Sequence, residues 1–547
     1  MNVIVFNIFF ILHLFIGRGF FLFLRKVFKI NLKIENIGIS SFSIYPIVSI
    51  FLIGNLNFIF NFFFPVDSLL YLYLFFALCL VIFNFTEKVI FSYKSQPLVI
   101  LLISSILSIS SFGMRLHYDA GLYHLTNQLW IKENRVIFGI VNVHNRLAFS
   151  SIQEYISSSY WLDGNFLLLH FINILFFIFL FNFLFENIFI NKNFHFLKAS
   201  SICIVFLGFL DNFGFNGGGN GHVAVQTVGK ADANFAIIFL ITSLLIINSL
   251  IINKYTLNNL LLFSYLALFC LQLRLTGALM TFLLSIYLAN VIKINQLSIY
   301  KILKKSKLLL TVFSLWLLKN IFLSGCLIFP VSITCYKKLS WYTNELLILS
   351  IQQSKGFYRA LSFEKGFSIW YQDWINTGFN KQISINLFFS LIALFIVMRL
   401  LSVKNPRGFK INILFYLFLL LNFILWITNS PGVRFAYGFI MLISVSTVLN
   451  RKLRIDNKSF YLGESKEKPS LTLELITRIA KSSLDQDQAN KFINHLINYR
   501  NNNKKITTCL KIKKKRLSSK SSKRSLHEHK PLTKEKSNQH QSLKKKL

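Results

Sequence analysis

Long apolar runs recur along most of this chain of 547 residues. A run of about 18 or more apolar residues can cross the hydrocarbon layer of a bilayer, roughly 30 Å thick, as one helix. The runs are continuously apolar and lack the alternation of a membrane β-barrel, so helices are expected. Composition agrees, because 54% of the residues are hydrophobic and 61 are Phe. The chain is therefore predicted to be an all-α integral membrane protein.

The apolar runs predict a bundle of about thirteen transmembrane helices. They cover residues 3–24, 40–62, 68–86, 97–113, 164–188, 199–216, 234–253, 257–273, 276–292, 308–329, 383–402, 411–428 and 434–450. Clusters of Lys and Arg follow the first, ninth, eleventh and thirteenth runs, which places all four basic segments on one side. Because such segments stay in the cytoplasm, we expect the N-terminus outside and the C-terminus inside.

The basic residues divide the chain into a membrane domain, 1–450, and a basic cytoplasmic tail, 451–547. Much of the formal net charge of +38 lies in this tail. Attraction to the anionic inner leaflet is the first explanation of such charge, and nucleic-acid binding is the rival that we do not expect. A short amphipathic helix is predicted over 489–499, and disorder beyond residue 501.

Three segments between spans are long enough to hold a site on the outer face: 114–163, 211–233 and 330–382. The second carries a glycine run, GFNGGGNGH, without the spacing of a phosphate loop, and is predicted to be a flexible connector. The third contains the aromatic stretch SIWYQDW, typical of the membrane interface or of stacking on sugar rings, and the interface is the preferred interpretation.

The first outer segment contains HYDAGLYHLTNQLWIKENR, residues 117–135. Apolar residues at helical spacing predict a helix that begins near Ala120, so Asp119 would cap its N-terminus. A carboxylate beside imidazoles and a phenol can instead act as a general base, and His117, Tyr123 and His124 supply those groups. Zinc binding by the two histidines and Asp119 matches no established spacing. No cofactor is expected, and a divalent cation is left open.

Four segments in a fixed order resemble a family of largely uncharacterised bacterial multi-pass membrane proteins. They are YDAGLYH (118–124), NVHNRLAFSS (142–151), KNIFLSGCLIFP (319–330) and NSPGVRFAYG (429–438). The family pattern runs Y-D-x-x-L-Y-H, H-G-R-L-x-F, N-x-x-x-S-G-x-x-x-x-P and P-x-x-R-F. This chain has Asn145 where the family usually has Gly, which puts the conformation of that turn in doubt.

That family in turn resembles the GT-C glycosyltransferases, which are helical membrane enzymes that use polyprenyl-phosphate sugars. The resemblance implies a GT-C-like fold and an acidic residue in an early outer loop that activates the acceptor hydroxyl. Asp119 is the matching residue. The acidic pair typical of such enzymes is absent, because Asp119 is followed by Ala120, and three spans precede the loop where many such enzymes have one.

The departing phosphate of such a donor needs positive groups. Arg146 and Arg434 are predicted to bind it, because a planar guanidinium matches phosphate oxygens, although Arg434 could also snorkel to the interface. Lys319 lies inside the tenth span. Because a charged side chain is costly there, it is expected to face a polar cavity or a partner. It is assigned to the same donor phosphate. Asp232 is predicted to be a second carboxylate of the site, as an acceptor-binding group or a metal ligand, or else the N-cap of the seventh span. His144 is a supporting residue of the site.

The predicted function is transfer of a sugar from a polyprenyl phosphate to a glycan or lipid of the cell envelope, in the bacterial inner membrane. A polysaccharide polymerase or ligase is an alternative enzyme that would also need outer Arg and His residues. A transporter or flippase is the other alternative, which inverted repeats or paired broken helices would favour. The expected partners are the bilayer, the lipid-linked sugar and its acceptor, and no nucleic acid.

Overall fold

A computed structural model of the chain describes residues 1–30, 37–87, 95–116, 119–149, 151–162, 165–191, 193–210, 225–228, 231–359, 366–377, 380–404, 409–429, 432–449 and 451–453. The chain divides into two compact units, Met1–Asp456 and Asn457–Leu547. The second unit, with the predicted amphipathic helix and most of the basic tail, lies outside the described residues.

The described part of the first unit is built from eighteen α-helices and two pairs of short strands. The helices are α1 Asn2–Val27, α2 Ser41–Phe60, α3 Leu70–Phe83, α4 Gln96–Ser108, α5 Leu125–Glu133, α6 Ile152–Ser158, α7 Leu167–Phe185, α8 His195–Leu210, α9 Asp232–Ile251, α10 Leu257–Leu273, α11 Met280–Asn295, α12 Ile299–Lys305, α13 Lys307–Ser324, α14 Asn344–Arg359, α15 Phe367–Asn376, α16 Asn380–Leu401, α17 Phe409–Asn429 and α18 Val433–Ser446. Strand β1 Arg115–Leu116 pairs in parallel with β2 Thr227–Val228, and β3 Ser402–Lys404 pairs antiparallel with β4 Arg451–Leu453.

Eight helical segments within the described residues are long and apolar enough to cross a membrane. They are Asn2–Val27, Ser41–Phe60, Gln96–Gly113, Leu167–Ile190, Asp232–Ile251, Leu275–Asn295, Lys307–Ser324 and Asn380–Leu400. Five shorter apolar helices are Tyr71–Phe83, His195–Phe209, Leu257–Leu273, Asn412–Thr428 and Val433–Ser446. Each predicted span overlaps one of these segments, so the predicted helical architecture is confirmed. The count of thirteen and the orientation stay predictions.

Helix α1 packs closely against its neighbours through two glycines. A Cβ added to Gly17 would lie 1.9 Å from the carbonyl oxygen of Tyr45 in α2. A Cβ added to Gly19 would lie 2.1 Å from the carbonyl oxygen of Leu80 in α3. Small residues allow backbones in a membrane bundle to approach this closely, where packing rather than water drives helix association. The glycines therefore determine how near α1 lies to α2 and α3.

Replacing Gly17 by Ala should destabilise the bundle by about 1–3 kcal/mol, because the added methyl group forces α1 and α2 apart. Gly121→Ala is the matched control, since a Cβ there meets nothing within 4 Å. Thermal unfolding of the full chain in detergent measures both variants. Equal midpoints for the two variants would contradict the close approach of α1 and α2.

Polar side chains join the helices that carry the site described below. Asn55 of α2 and Gln272 of α10 exchange two hydrogen bonds, of 3.2 and 2.7 Å. Asn234 of α9 donates to Asn173 of α7 at 2.8 Å and to Gln153 of α6 at 3.1 Å. Interhelical hydrogen bonds of this kind contribute about 0.6 kcal/mol each on average. They join α2 to α10, and they join α9 to both α6 and α7.

The three predicted outer segments contact one another. Strands β1 and β2 join the first segment to the second. Asn142 donates to the carbonyl oxygen of Trp341 at 3.0 Å, and Asn145 donates to the Ser350 hydroxyl at 3.1 Å, which joins the first segment to the third. Asn145 is buried in a short 3-10 helix, Asn145–Ala148, so the turn there does not require glycine.

Two contacts join the predicted basic segments. The Lys305 ammonium donates to the carbonyl oxygen of Lys29 at 2.9 Å, so the segments after the first and ninth spans meet. Strands β3 and β4 join the segment after the eleventh span to the start of the tail. Each contact agrees with the predicted grouping of these segments, and the side of the membrane on which they lie stays a prediction.

Candidate functional site

Asp119 lies at the start of an unusual turn of helix. The predicted helix begins at Ala120 as expected, but its first turn, Ala120–His124, is a π-helix that continues into α5. Turns of this kind are rare and occur frequently at functional sites. Asp119 occupies the N-cap position, as predicted, but its side chain makes no capping hydrogen bond. Its Oδ2 atom instead accepts a hydrogen bond from Nη1 of Arg434, at the start of α18, at 3.2 Å.

A second carboxylate–guanidinium pair forms between α9 and the end of α10. Asp232 is the first residue of α9, whose N-cap position is Ala231. Its Oδ1 atom accepts a hydrogen bond from Nη1 of Arg274 at 2.7 Å. Arg274 follows α10 directly, in extended conformation. The predicted second carboxylate therefore has a partner that sequence reasoning missed.

The ring of Phe435 joins the two ion pairs. The Cζ atom of Arg274 lies 3.9 Å from the ring centroid, and the Cζ atom of Arg434 lies 4.6 Å from it. Both guanidinium groups thus contact the ring of Phe435, and the electrons of an aromatic ring attract cations. The structure consequently places Asp119 and Asp232 at one site, although they come from different outer segments.

Tyr123 and Arg146 complete this side of the site. The Cζ atom of Arg146 lies 5.6 Å from the centroid of the Tyr123 ring. Burial, followed by the charge of Asp119, raises the pKa of Tyr123 to about 12, so its phenol stays protonated at neutral pH. A protonated phenol can donate a hydrogen bond to a bound oxygen.

Behind Tyr123, the imidazole of His124 forms an ion pair with Glu154 of α6 through its Nδ1 atom. Glu154 is buried and also accepts a hydrogen bond from Gln128 at 2.8 Å. Burial works against the imidazolium, yet Glu154, aided by Asp232 and Asp119, raises the pKa of His124 above its ordinary value. Sequence reasoning missed Glu154, although a lone carboxylate between apolar residues in SIQEYIS signals a buried partner.

We call these side chains the charged cluster: Asp119, His124, Arg146, Glu154, Asp232, Arg274 and Arg434. The cluster joins carboxylates that can accept a proton to guanidinium groups that can hold an anion. The two ion pairs, Asp119–Arg434 and Asp232–Arg274, are largely shielded from solvent, which strengthens the attraction within each pair.

Lys319 has a different environment. It is fully buried in α13, and its Nζ atom lies 3.0 Å from the ring centroid of Trp316, 4.8 Å from that of Tyr155 and 5.4 Å from that of Phe58. The predicted need of this ammonium for a favourable environment is thus met by aromatic rings. Tyr155 follows Glu154 in α6, so this aromatic enclosure borders the charged cluster.

The remaining predicted residues are placed as follows. His144 is exposed, and its Nδ1 atom accepts a hydrogen bond from the backbone N–H of Arg146 at 3.2 Å, which orients the Arg146 segment. His117 lies outside the described residues. Among the residues that the structure describes, no group of three or more His, Cys, Asp or Glu could hold a metal ion, and zinc binding with His117 is not tested.

An apolar groove begins beside the cluster and runs along α7, α9 and α18. It is lined by Phe177, Leu180, Ala233, Ala236, Ile237, Leu240, Tyr437, Gly438 and Met441. Ala233 follows Asp232, and Tyr437 lies one turn beyond Arg434, so the groove starts next to both ion pairs.

Comparison with known proteins places the chain in a family. A family model described as a domain of unknown function (DUF8201) matches residues 1–441. That match covers most of the chain, which therefore belongs to this family. No curated protein and no solved structure matches the chain.

Proposed function

We propose that this DUF8201 member is a glycosyltransferase of GT-C type, which transfers a sugar from a polyprenyl phosphate to a glycan or lipid acceptor. One observation carries the proposal. Asp119, from the segment YDAGLYH, contacts Arg434, from the segment PGVRF, although 315 positions separate them in the chain. A base and a phosphate-binding cation are the two groups that such a reaction needs, and here they lie side by side.

In the proposed reaction, the acceptor hydroxyl attacks the anomeric carbon of the donor sugar. Its proton passes to the Asp119 carboxylate as the new glycosidic bond forms. The bond between the anomeric carbon and the phosphate oxygen breaks, and the electron pair leaves on the lipid phosphate. Arg434 and Arg146 hold that phosphate, because guanidinium groups bind phosphate oxygens through paired hydrogen bonds.

The Asp119–Arg434 pair also couples donor binding to base activation. Without donor, the guanidinium of Arg434 occupies Oδ2 of Asp119. A donor phosphate competes with Asp119 for Arg434, since both are anions that bind the same fork of N–H groups. The carboxylate is then released toward the acceptor only when the donor is present. This exchange limits loss of the activated sugar to other nucleophiles.

Two further features support a lipid-linked donor on the outer face of the bacterial inner membrane. The groove along α7, α9 and α18 is lined by apolar side chains, and its first residues lie beside Asp232 and Arg434. A prenyl chain in this groove would place its phosphate near the charged cluster. Cys335, near the start of the third outer segment, forms a disulfide with Cys326, which lies just before that segment, and disulfides are typical of an oxidising compartment.

Replacing Arg434 by Gln should raise the KM for donor roughly ten- to a hundredfold, because a hydrogen bond from a charged group to the phosphate is lost. Arg135→Gln is the matched control, since Arg135 is an exposed arginine of the first outer segment. The assay uses the purified full chain, a panel of radiolabelled polyprenyl-phosphate sugars and membrane extract as acceptor. Equal KM values for both variants would contradict the assignment of Arg434.

The same assay separates the alternative functions. A polymerase or ligase would lengthen or join glycan chains instead of adding one sugar. A transporter or flippase would redistribute the lipid-linked sugar across the bilayer and leave its phosphate bond intact. Absence of labelled product with every donor, together with movement of the donor across proteoliposomes, would overturn the glycosyltransferase proposal.

A further inference from the structure

The His124–Glu154 pair lies in the charged cluster but has no part in the reaction described above. We infer that His124, held by Glu154, is a pH-dependent binding group for the donor phosphate. The inference rests on the proposed function, because it takes a lipid phosphate as the ligand. Glu154 acts here as a positioning residue, since it contacts the imidazole and not the ligand.

Local geometry leaves one ring nitrogen of His124 available to a ligand. The Nδ1 atom contacts the Glu154 carboxylate, which is itself held by the amide of Gln128 at 2.8 Å. Only 4% of the Glu154 side chain is exposed, against 18% for His124. The imidazole is therefore fixed from its buried side, and Nε2 is the nitrogen that can donate to an anion.

The protonation state of His124 determines the net charge of the charged cluster. The cluster holds three guanidinium groups, of Arg146, Arg274 and Arg434, and three carboxylates, of Asp119, Glu154 and Asp232, so these six formal charges cancel. A neutral His124 leaves the cluster without net charge, whereas a protonated His124 gives it one positive charge. The attraction of the cluster for an anion is therefore determined by the protonation of this single side chain.

The surroundings of His124 determine the pH at which this happens. Burial opposes its charge, while the carboxylates of three elements favour it: Glu154 in α6, Asp232 in α9 and Asp119 in the same turn. Tyr123, whose ring centroid lies 4.3 Å from that of His124, stays neutral, and Arg146 contacts that ring. The net result is a raised pKa, so the imidazolium persists to higher pH than in water and is lost as the pH rises further.

Binding of farnesyl phosphate, a short soluble isoprenyl phosphate, tests the inference. The purified full chain is titrated calorimetrically in detergent between pH 5.5 and 9. Wild-type affinity should fall roughly tenfold as His124 loses its proton and one charged hydrogen bond disappears. In Glu154→Gln the fall should occur at lower pH than in the wild type, because the carboxylate that raises the pKa of His124 is gone. In His124→Gln affinity should be uniformly low, without this pH dependence.

The controls distinguish the possible failures. Glu133→Gln removes an exposed carboxylate of α5 and should reproduce the wild-type profile. The ligand phosphate also loses its second proton in this pH range. That ionisation changes the affinity equally in all variants, so differences between their pH profiles do not arise from it. If His124→Gln keeps the wild-type pH dependence, the inference is overturned while the donor site stands, even where Glu154→Gln does not fold. If the wild type binds no farnesyl phosphate at any pH, both the inference and the proposed donor are overturned.

Discussion

Replacing Asp119 by Asn should lower the rate of sugar transfer roughly 10²–10⁴-fold, the usual contribution of a general base. The amide oxygen of Asn can still accept the hydrogen bond from Arg434, so the arrangement of the first outer segment and α18 is expected to persist. The amide cannot take a proton from the acceptor hydroxyl, however. The loss should therefore appear in kcat, while the KM for donor should not rise, because a neutral amide competes less than a carboxylate for Arg434.

Initial rates with the radiolabelled donor measure this effect, and the thermal midpoint of each variant reports its folding. Glu133→Gln is the control, because it also replaces a carboxylate of this segment by an amide, at an exposed position. In cells, the Asp119→Asn protein should insert normally and leave an envelope glycan incomplete. An intact set of glycans and a wild-type rate in this variant would show that Asp119 is not the base.

Removing Arg274 should destabilise the fold strongly. Its Nη1 atom lies 2.7 Å from Oδ1 of Asp232, and only 25% and 15% of the two side chains are exposed. Breaking such a pair at one partner costs about 3–5 kcal/mol when the pair is buried, and partial exposure favours the lower value. Arg274→Met leaves Asp232 without this guanidinium, at a site that Asp119 already makes negative.

The double variant Asp232→Asn, Arg274→Met tests the cause of this loss. It should recover most of the stability, because the uncompensated charge is removed together with its partner. Unfolding of the purified chain by SDS gives the free energy for both variants, with the exposed Arg135→Met as control. If the double variant is no more stable than Arg274→Met, the packing of Arg274 on Phe435, and not its charge, explains the loss.

The helical architecture could be predicted because it depends on properties of single segments. Hydrophobic length decides whether a run can cross a bilayer, and it can be counted along the chain. Each predicted span accordingly overlaps an apolar helix. The start of the helix at Ala120 was predictable for the same reason, since it follows from the spacing of neighbouring apolar residues.

The candidate site could be predicted only in part. Asp119, Asp232 and Arg434 were identified from residue type and position, but not the contacts among them. The sequence predicted the N-cap position of Asp119, which is a local property, but not its contact with Arg434, which lies 315 positions away. Lys319 was expected to need a favourable environment, and the identity of that environment, three aromatic rings, came from helix packing.

The sequence by itself therefore determined the class of the protein and the residue types that could react. Only the tertiary structure decided which helix ends are neighbours, and hence the pairs Asp119–Arg434, Asp232–Arg274 and His124–Glu154. The physical reason is that hydrophobic burial adds up along a segment, whereas an ion pair acts over a few ångströms between segments. Pairing of charges in the bundle thus depends on how the helices pack, which no single segment encodes.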